Sequence, residues 1–332
     1  MKKISSYIWD YRFSYLGAVL SLLIAVTLDM VAPRLTAHVV DDVIVGGNIG
    51  ELKFLLLGFF SVGLGRCIFQ YVKEYTFDKN GARISGDMRR DLFRHIQSLS
   101  ADFFDRTNTG ELMARVKEDI DHIWDAVGYV GMLLIEVFYH TGIILVCMFT
   151  INWKLALISG AAMLLCGVVA VIMERKLGAV YESISEENAV LNTVAEENLG
   201  GVRTVKAFAR ESFEIDKFLS HNKRYYELNM AQSGVLVRYY PVFTVITTIL
   251  PLLTLLVGGR FVIDGEMTLG QITAFVEYSM NIVWPMEMLG WLTNSFSSAV
   301  ASNGKIKKIY GEKPTIKEPT KPVKLDHVRG KV

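Results

Sequence analysis

The chain has 332 residues, 51% of them hydrophobic, with a formal net charge of +1. That balance gives no reason to expect a nucleic-acid binder, and there are no Gly-rich or His/Cys-rich low-complexity tracts. The apolar residues are gathered into long runs with little charge inside them, which excludes an ordinary soluble globule and points to a membrane protein.

Met1-Lys2-Lys3 opens like a signal peptide. Polar and aromatic residues nevertheless precede the first apolar run, no small-residue cleavage site follows, and the run continues past Pro33, so it reads as a retained first helix. A helix needs roughly 20 apolar residues to cross a hydrocarbon core of about 30 Å. Six windows qualify, near 13–33, 54–74, 126–150, 155–173, 235–262 and 268–292. The sixth is the most polar, with Gln271, Thr273, Glu277, Tyr278, Ser279 and Asn281, and Pro285 is expected to bend it. Backbone polar groups in lipid must be bonded internally, so runs of this length are helices.

Proline is absent between Pro33 and Pro241. Within that stretch, 75–125 and 174–234 are charged yet helix-favouring, and Ile84, Met88, Leu92, Ile96 and Leu99 repeat in a heptad-like way. These segments read as membrane helices continuing into water, an extra 20 residues projecting roughly 30 Å. Two inserted soluble domains are the alternative, but strand-like alternation is lacking. Cys67, Cys147 and Cys166 all lie in apolar stretches and are expected to be buried structural thiols rather than a disulfide framework or a zinc site.

Lys and Arg set the orientation. Segments 41–53, 151–154 and 258–267 hold only Lys53, Lys154 and Arg260, whereas Lys2, Lys3, Arg12, Arg83, Arg89, Arg90, Arg106, Arg203, Lys206 and the Lys-rich tail collect on the other side. The positive-inside rule puts both termini and both long loops in the cytoplasm. The expectation is an all-α membrane protein of six long transmembrane helices with cytoplasmic extensions over 1–310, followed by a linker over 311–332.

Two of the cytoplasmic stretches are specific. The first runs from Leu99 to Asp119. It carries Asp102-Phe103-Phe104-Asp105, a polar turn Asn108-Thr109-Gly110, then Glu111-Leu112, Arg115 and Asp119. The second runs from Glu197 to Glu211 and carries Gly200-Gly201, then Val202-Arg203-Thr204-Val205, Lys206 and Phe208. Both glycine-bearing turns are hairpin-tip chemistry. Beside each lies a short amphipathic piece with exposed apolar residues, Phe103 and Phe104 in one, Val202, Val205 and Phe208 in the other. The residues themselves leave two readings open: they close each hairpin onto itself, or they dock in a groove on another protein.

The two stretches resemble the first and second intracellular loops of ABC (ATP-binding cassette) exporters, and Pro33 with Val40-Asp41, Gly265–Tyr278 and Pro285 fit the same pattern in the same order. The resemblance implies the type IV exporter transmembrane-domain fold in the inner (plasma) membrane. It implies that 102–109 and 202–209 are coupling helices seated in nucleotide-binding domains, with Asp102, Phe103, Phe104, Asp105, Val202, Arg203, Thr204, Val205 and Phe208 as the contact residues. It further implies a homodimer, or a heterodimer with a related half-transporter, that exports amphiphilic drugs, lipids or peptides by alternating access. Pro314, Pro319, Pro322 and Gly330-Lys-Val332 resemble the lead-in to a nucleotide-binding domain, and no G-x-x-x-x-G-K-[ST] loop occurs. ATP and magnesium are therefore expected as cofactors of the parent transporter and not of this chain.

Ionisable residues at membrane depth are candidate functional groups. They are Asp29, Arg34 and His38 in the first span, Arg66 in the second, Glu136 and His140 four apart in the third, and Glu277 and Glu287 in the sixth. The plainer reading is structural hydrogen bonding between helices. The resemblance implies that the sixth helix lines the substrate path, which makes Glu277 and Asn281, with Glu136, His140 and Asp29, the candidate path residues. Two rival classes are a membrane scaffold without an ATPase and an ion- or proton-coupled carrier using Asp29, Glu136 or Glu277.

Overall fold

The structure, a computed structural model, describes residues 4–314. Lys2, Lys3 and the expected linker beyond Pro314 lie outside the described residues, as does the side chain of Glu287. Among the described residues every regular element is a helix. In chain order they are α1 (Ile4–Asp10), α2 (Arg12–His38), a π-helical segment (Val39–Val45), α3 (Ile49–Gln97), α4 (Ala101–Arg106), α5 (Thr109–Ala114), a second π-helical segment (Arg115–Asp119), α6 (Ile120–Val127), α7 (Tyr129–Ile151), α8 (Trp153–Gly200), α9 (Val202–Ala207), α10 (Glu211–Ile263), α11 (Leu269–Asn281) and α12 (Trp284–Gly311).

Among the described residues five helical stretches are long and apolar enough to cross a membrane: Arg12–Val45, Ile49–Gln97, Thr109–Ile151, Trp153–Gly200 and Glu211–Ile263. The expected sixth span is interrupted beside Pro285, where a bend was expected. It is two helices, α11 and α12, separated at Ile282–Val283. The 13 residues of α11 rise about 20 Å, short of a hydrocarbon core of about 30 Å. Pro285 explains the break: in a continuous helix its ring would collide with the carbonyl of residue 281, and α11 ends at Asn281. In the first turn of α12 the missing N–H costs nothing. Pro33, Pro241 and Pro251, by contrast, lie inside uninterrupted helices.

The chain forms two compact units. One comprises the start of the chain to Val19, Lys73–Met132 and the segment from Ser295. Its core is the stripe Ile84, Met88, Leu92 and Ile96 of α3, closed by Tyr7, Leu99, Phe103, Leu112, Ile120, Ile123, Ile306 and Ile309. The heptad-like spacing of the α3 residues places them on one face, and each fully buried Ile or Leu contributes about 2 kcal/mol. Polar contacts fix α1 and the start of α2 on α3: Tyr7 donates to Asp91 at 2.7 Å, Tyr11 to Asp87 at 2.9 Å and Ser14 to Asn80 at 2.9 Å. Burial, reinforced by Asp91, pushes the Tyr310 phenol up to about 12.

The other unit comprises Leu20–Val72 and Leu133–Asn294. Its core gathers Met30, Ile144, Met148, Leu155, Cys166, Phe243, Leu250, Ile272, Phe275 and Tyr278. The buried Tyr278 hydroxyl donates to the Met30 carbonyl at 2.7 Å, so its polar end is satisfied within the apolar core. Helices α8 and α10 pack antiparallel, with a ladder of contacts along their charged parts. Lys176 lies over the Tyr239 ring at 5.3 Å, Gln232 donates to Tyr181 at 3.1 Å, His221 meets Glu187 at 2.7 Å and Lys217 meets Glu197 at 3.7 Å. Of the three cysteines, Cys147 and Cys166 are buried, whereas Cys67 is exposed, which corrects the expectation for that residue.

Candidate functional site

Each long charged stretch turns at a short helix. In the first, Leu99 and Ser100 leave α3 and the chain enters α4 over six residues. Asp102 and Arg106 pair one turn apart at 2.7 Å on the exposed side of this helix. Phe103 turns inward and is only 9% exposed, packing in the core of its unit, while Phe104 stays 40% exposed. The two rings meet edge to face at 5.5 Å, so the buried ring props the exposed one. The expectation that both rings are exposed is thus corrected: Phe103 closes the hairpin and Phe104 faces outward. Asp105 is exposed beside it. Asn108 then caps α5, its side chain accepting from the Gly110 N–H at 2.8 Å.

In the second stretch α8 ends at Gly200 and α9 occupies Val202–Ala207. Arg203 and Thr204 are exposed, Val205 half-buried, Val202 42% exposed and Phe208 74% exposed. Ala209 follows with φ of +48°, a left-handed conformation that costs a non-glycine residue about 1 kcal/mol or more. The Arg210 N–H bonds back to the Val205 carbonyl at 3.0 Å and closes the turn. Behind α9 an open groove of about 420 Å³ is lined by Leu199, Val202, Val205, Ile215, Phe218 and Leu219, with Glu211 and Glu214 at its rim. This leaves apolar surface exposed at a tip carried on two long helices.

The membrane-depth charges do not gather into one site. Asp29 is taken up in an ion pair with Arg66 of α3. Arg34 donates to Thr150 at 3.2 Å, and His38 meets Asp42 one turn on at 2.9 Å. His140 is buried, its ring edge-on to Trp284 at 6.1 Å, and Glu136 one turn earlier is half-buried. Glu277 is half-buried, and its carbonyl accepts from the exposed Asn281 side chain at 3.1 Å.

Sequence reasoning singled out Asp41 by resemblance but missed what it binds. Its carboxylate accepts from Thr268 Oγ1 at 2.6 Å and from the Gly270 N–H at 2.7 Å, which seats a negative charge on the first turn of α11. Thr268 and Gln271 form a reciprocal capping box there, a Thr-x-x-Gln signal that was legible in the sequence. The partner residue, more than 200 positions earlier, carried no such signal.

Residues 15–286 match the family model described as ABC transporter transmembrane region. Among similar proteins, the ABC transporter ATP-binding protein YknU of Bacillus subtilis is 26% identical over 305 residues, 92% of this chain and 52% of that protein. The multidrug resistance-like ATP-binding protein MdlA of Escherichia coli is 27% identical over 323 residues, 95% of this chain and 54% of that protein. The ATP-dependent lipid A-core flippase of Desulfotalea psychrophila is 26% identical over 322 residues, 96% of this chain and 56% of that protein. The chain thus spans just over half the length of these relatives.

Proposed function

The chain belongs to the ABC transporter transmembrane region family, and from that premise we propose that it is the substrate-translocating domain of an ATP-driven exporter of amphiphilic molecules. The observation that carries the reading is the pair of outward-facing aromatic tips, Phe104 on α4 and Phe208 at the end of α9. Such tips fit the docking of nucleotide-binding domains, and the relatives are named as ATP-binding proteins. Asp102, Asp105, Arg203, Thr204, Val202 and Val205 complete the two contact patches, with Phe103 supporting Phe104 from within.

ATP closure of the nucleotide-binding domains draws the tips together and opens the translocation path outward, an alternation between two bundle arrangements. ATP and magnesium act in those domains. The assembly is a pair of such chains, or this chain with a related half-transporter, in the inner (plasma) membrane with cytoplasmic termini. Names of the relatives include a multidrug resistance-like protein and a lipid A-core flippase, which supports a drug or lipid amphiphile as cargo.

The test is transport of a fluorescent amphiphile by the full-length transporter in liposomes. ATP-dependent movement that survives collapse of the proton gradient is the expected result. Movement that persists without ATP and stops with the gradient would overturn the reading in favour of a proton-coupled carrier.

A further inference from the structure

Asp119 closes the π-helical segment that follows the first tip and is only 3% exposed. A carboxylate that deep needs charge partners and hydrogen bonds to offset its desolvation. Its Oδ1 accepts from the buried Ser302 hydroxyl at 2.7 Å and lies 3.6 Å from Lys305 Nζ. Its Oδ2 accepts from the Arg115 guanidinium at 2.9 Å, and Arg115 also donates to Glu111 at 2.8 Å. Glu111, Arg115 and Asp119 therefore form a charge ladder that begins at the tip and ends on α12. A π-helical turn re-aims side chains relative to an α-helix and recurs at functional positions. Here the turn ends on the buried carboxylate.

The partner side is equally selective. The buried face of α12 in this unit is Ala299, Ser302, Ile306 and Ile309, and Ser302 is its one polar member. Apolar contacts alone are non-directional and tolerate sliding of one helix along another. A buried carboxylate is not tolerant. Moving α12 by one turn, about 5.4 Å, would take Ser302 and Lys305 away and leave the Asp119 charge short of partners. Fixing register is the best-attested use of a buried ionic group.

We propose that Asp119 is a positioning residue that locks the register of α12 to the first tip hairpin, so that displacement of α4 is delivered to α12 as well as to α7. The proposal rests on the export reading above. A second tether reinforces it: His95 Nε2 meets the Ile309 carbonyl at 3.0 Å, and its ring stacks near Tyr310 at 4.9 Å.

The experiment uses the full-length transporter in liposomes with Asp119→Asn, Ser302→Ala and the double variant. Asparagine keeps the shape and removes the charge. Each single change is expected to keep basal ATP hydrolysis while lowering fluorescent amphiphile moved per ATP about tenfold. The double variant is expected to be no worse than the poorer single, as for two residues of one contact. A purely structural role would lower hydrolysis and transport together and leave the ratio unchanged, which would overturn the proposal, as would additive losses. If the wild type hydrolyses ATP but moves no amphiphile, the export reading fails while the lock is still decided by amide exchange over 299–311 without nucleotide. Faster exchange in Asp119→Asn, no faster in the double variant, supports it; unchanged exchange overturns it.

Discussion

Gly270 lies so close to Asp41 that the carboxylate accepts its backbone N–H at 2.7 Å. A Cβ at position 270 would stand 2.2 Å from the Ala37 carbonyl oxygen and 2.6 Å from Asp41 Oδ2. The backbone of α11 can approach α2 to this distance only where a side chain is missing. Gly270→Ala is therefore expected to lower stability by about 1–3 kcal/mol, the cost of overpacking. Thermal unfolding in nanodiscs measures it, and an unshifted midpoint would contradict this packing.

The two phenylalanines of the first tip are expected to part company on substitution. Phe103→Ala removes a ring from a packed core and should cost about 3–5 kcal/mol. Phe104→Ala removes a largely exposed ring, so stability should change by about 0.5 kcal/mol or less. Instead it should reduce amphiphile-stimulated ATP hydrolysis, as should Phe208→Ala at the second tip. Comparing unfolding midpoints with stimulated hydrolysis for the three variants checks the assignment, and intact stimulation in Phe104→Ala and Phe208→Ala would remove it.

Asp29 and Arg66 pair across α2 and α3 at membrane depth. Losing one partner leaves the other charge uncompensated in a poorly polarisable surrounding, whereas losing both does not. Asp29→Asn and Arg66→Gln are each expected to lower the unfolding midpoint in nanodiscs, and the double variant to recover part of the loss. Additive losses would mean that the pair is not a coupled unit.

Pro285→Ala should relieve the clash that ends α11 at Asn281. The expected outcome is slower amide exchange at Ile282 and Val283 as the helix closes across the gap. Exchange equal to that of the wild type would assign the break to something other than the proline ring.

Much of the architecture was legible because helices in lipid obey a short list of constraints. The apolar windows marked five of the spans, and the heptad-like residues from Ile84 to Leu99 marked the buried face of α3 and the turn after it. The interruption of the sixth span was legible at Pro285, but its extent, a full parting of α11 from α12, was not. At the tips, composition marked the aromatic pair but could not divide it: only packing decides that Phe103 goes inward and Phe104 outward. The long-range partners, Asp41 with Gly270 and Asp119 with Ser302, were invisible because hydrogen bonds between residues so far apart leave no local periodicity.

The gap at Ile282–Val283 has a mechanical meaning. A continuous α-helix carries torque through its ladder of backbone hydrogen bonds, and that ladder is cut between α11 and α12. The first piece, α11, is tied through Asp41 to the π-helical segment that continues α2. The second piece, α12, begins a new ladder at Trp284. A twist applied to α12 therefore has no unbroken backbone ladder by which to reach α11.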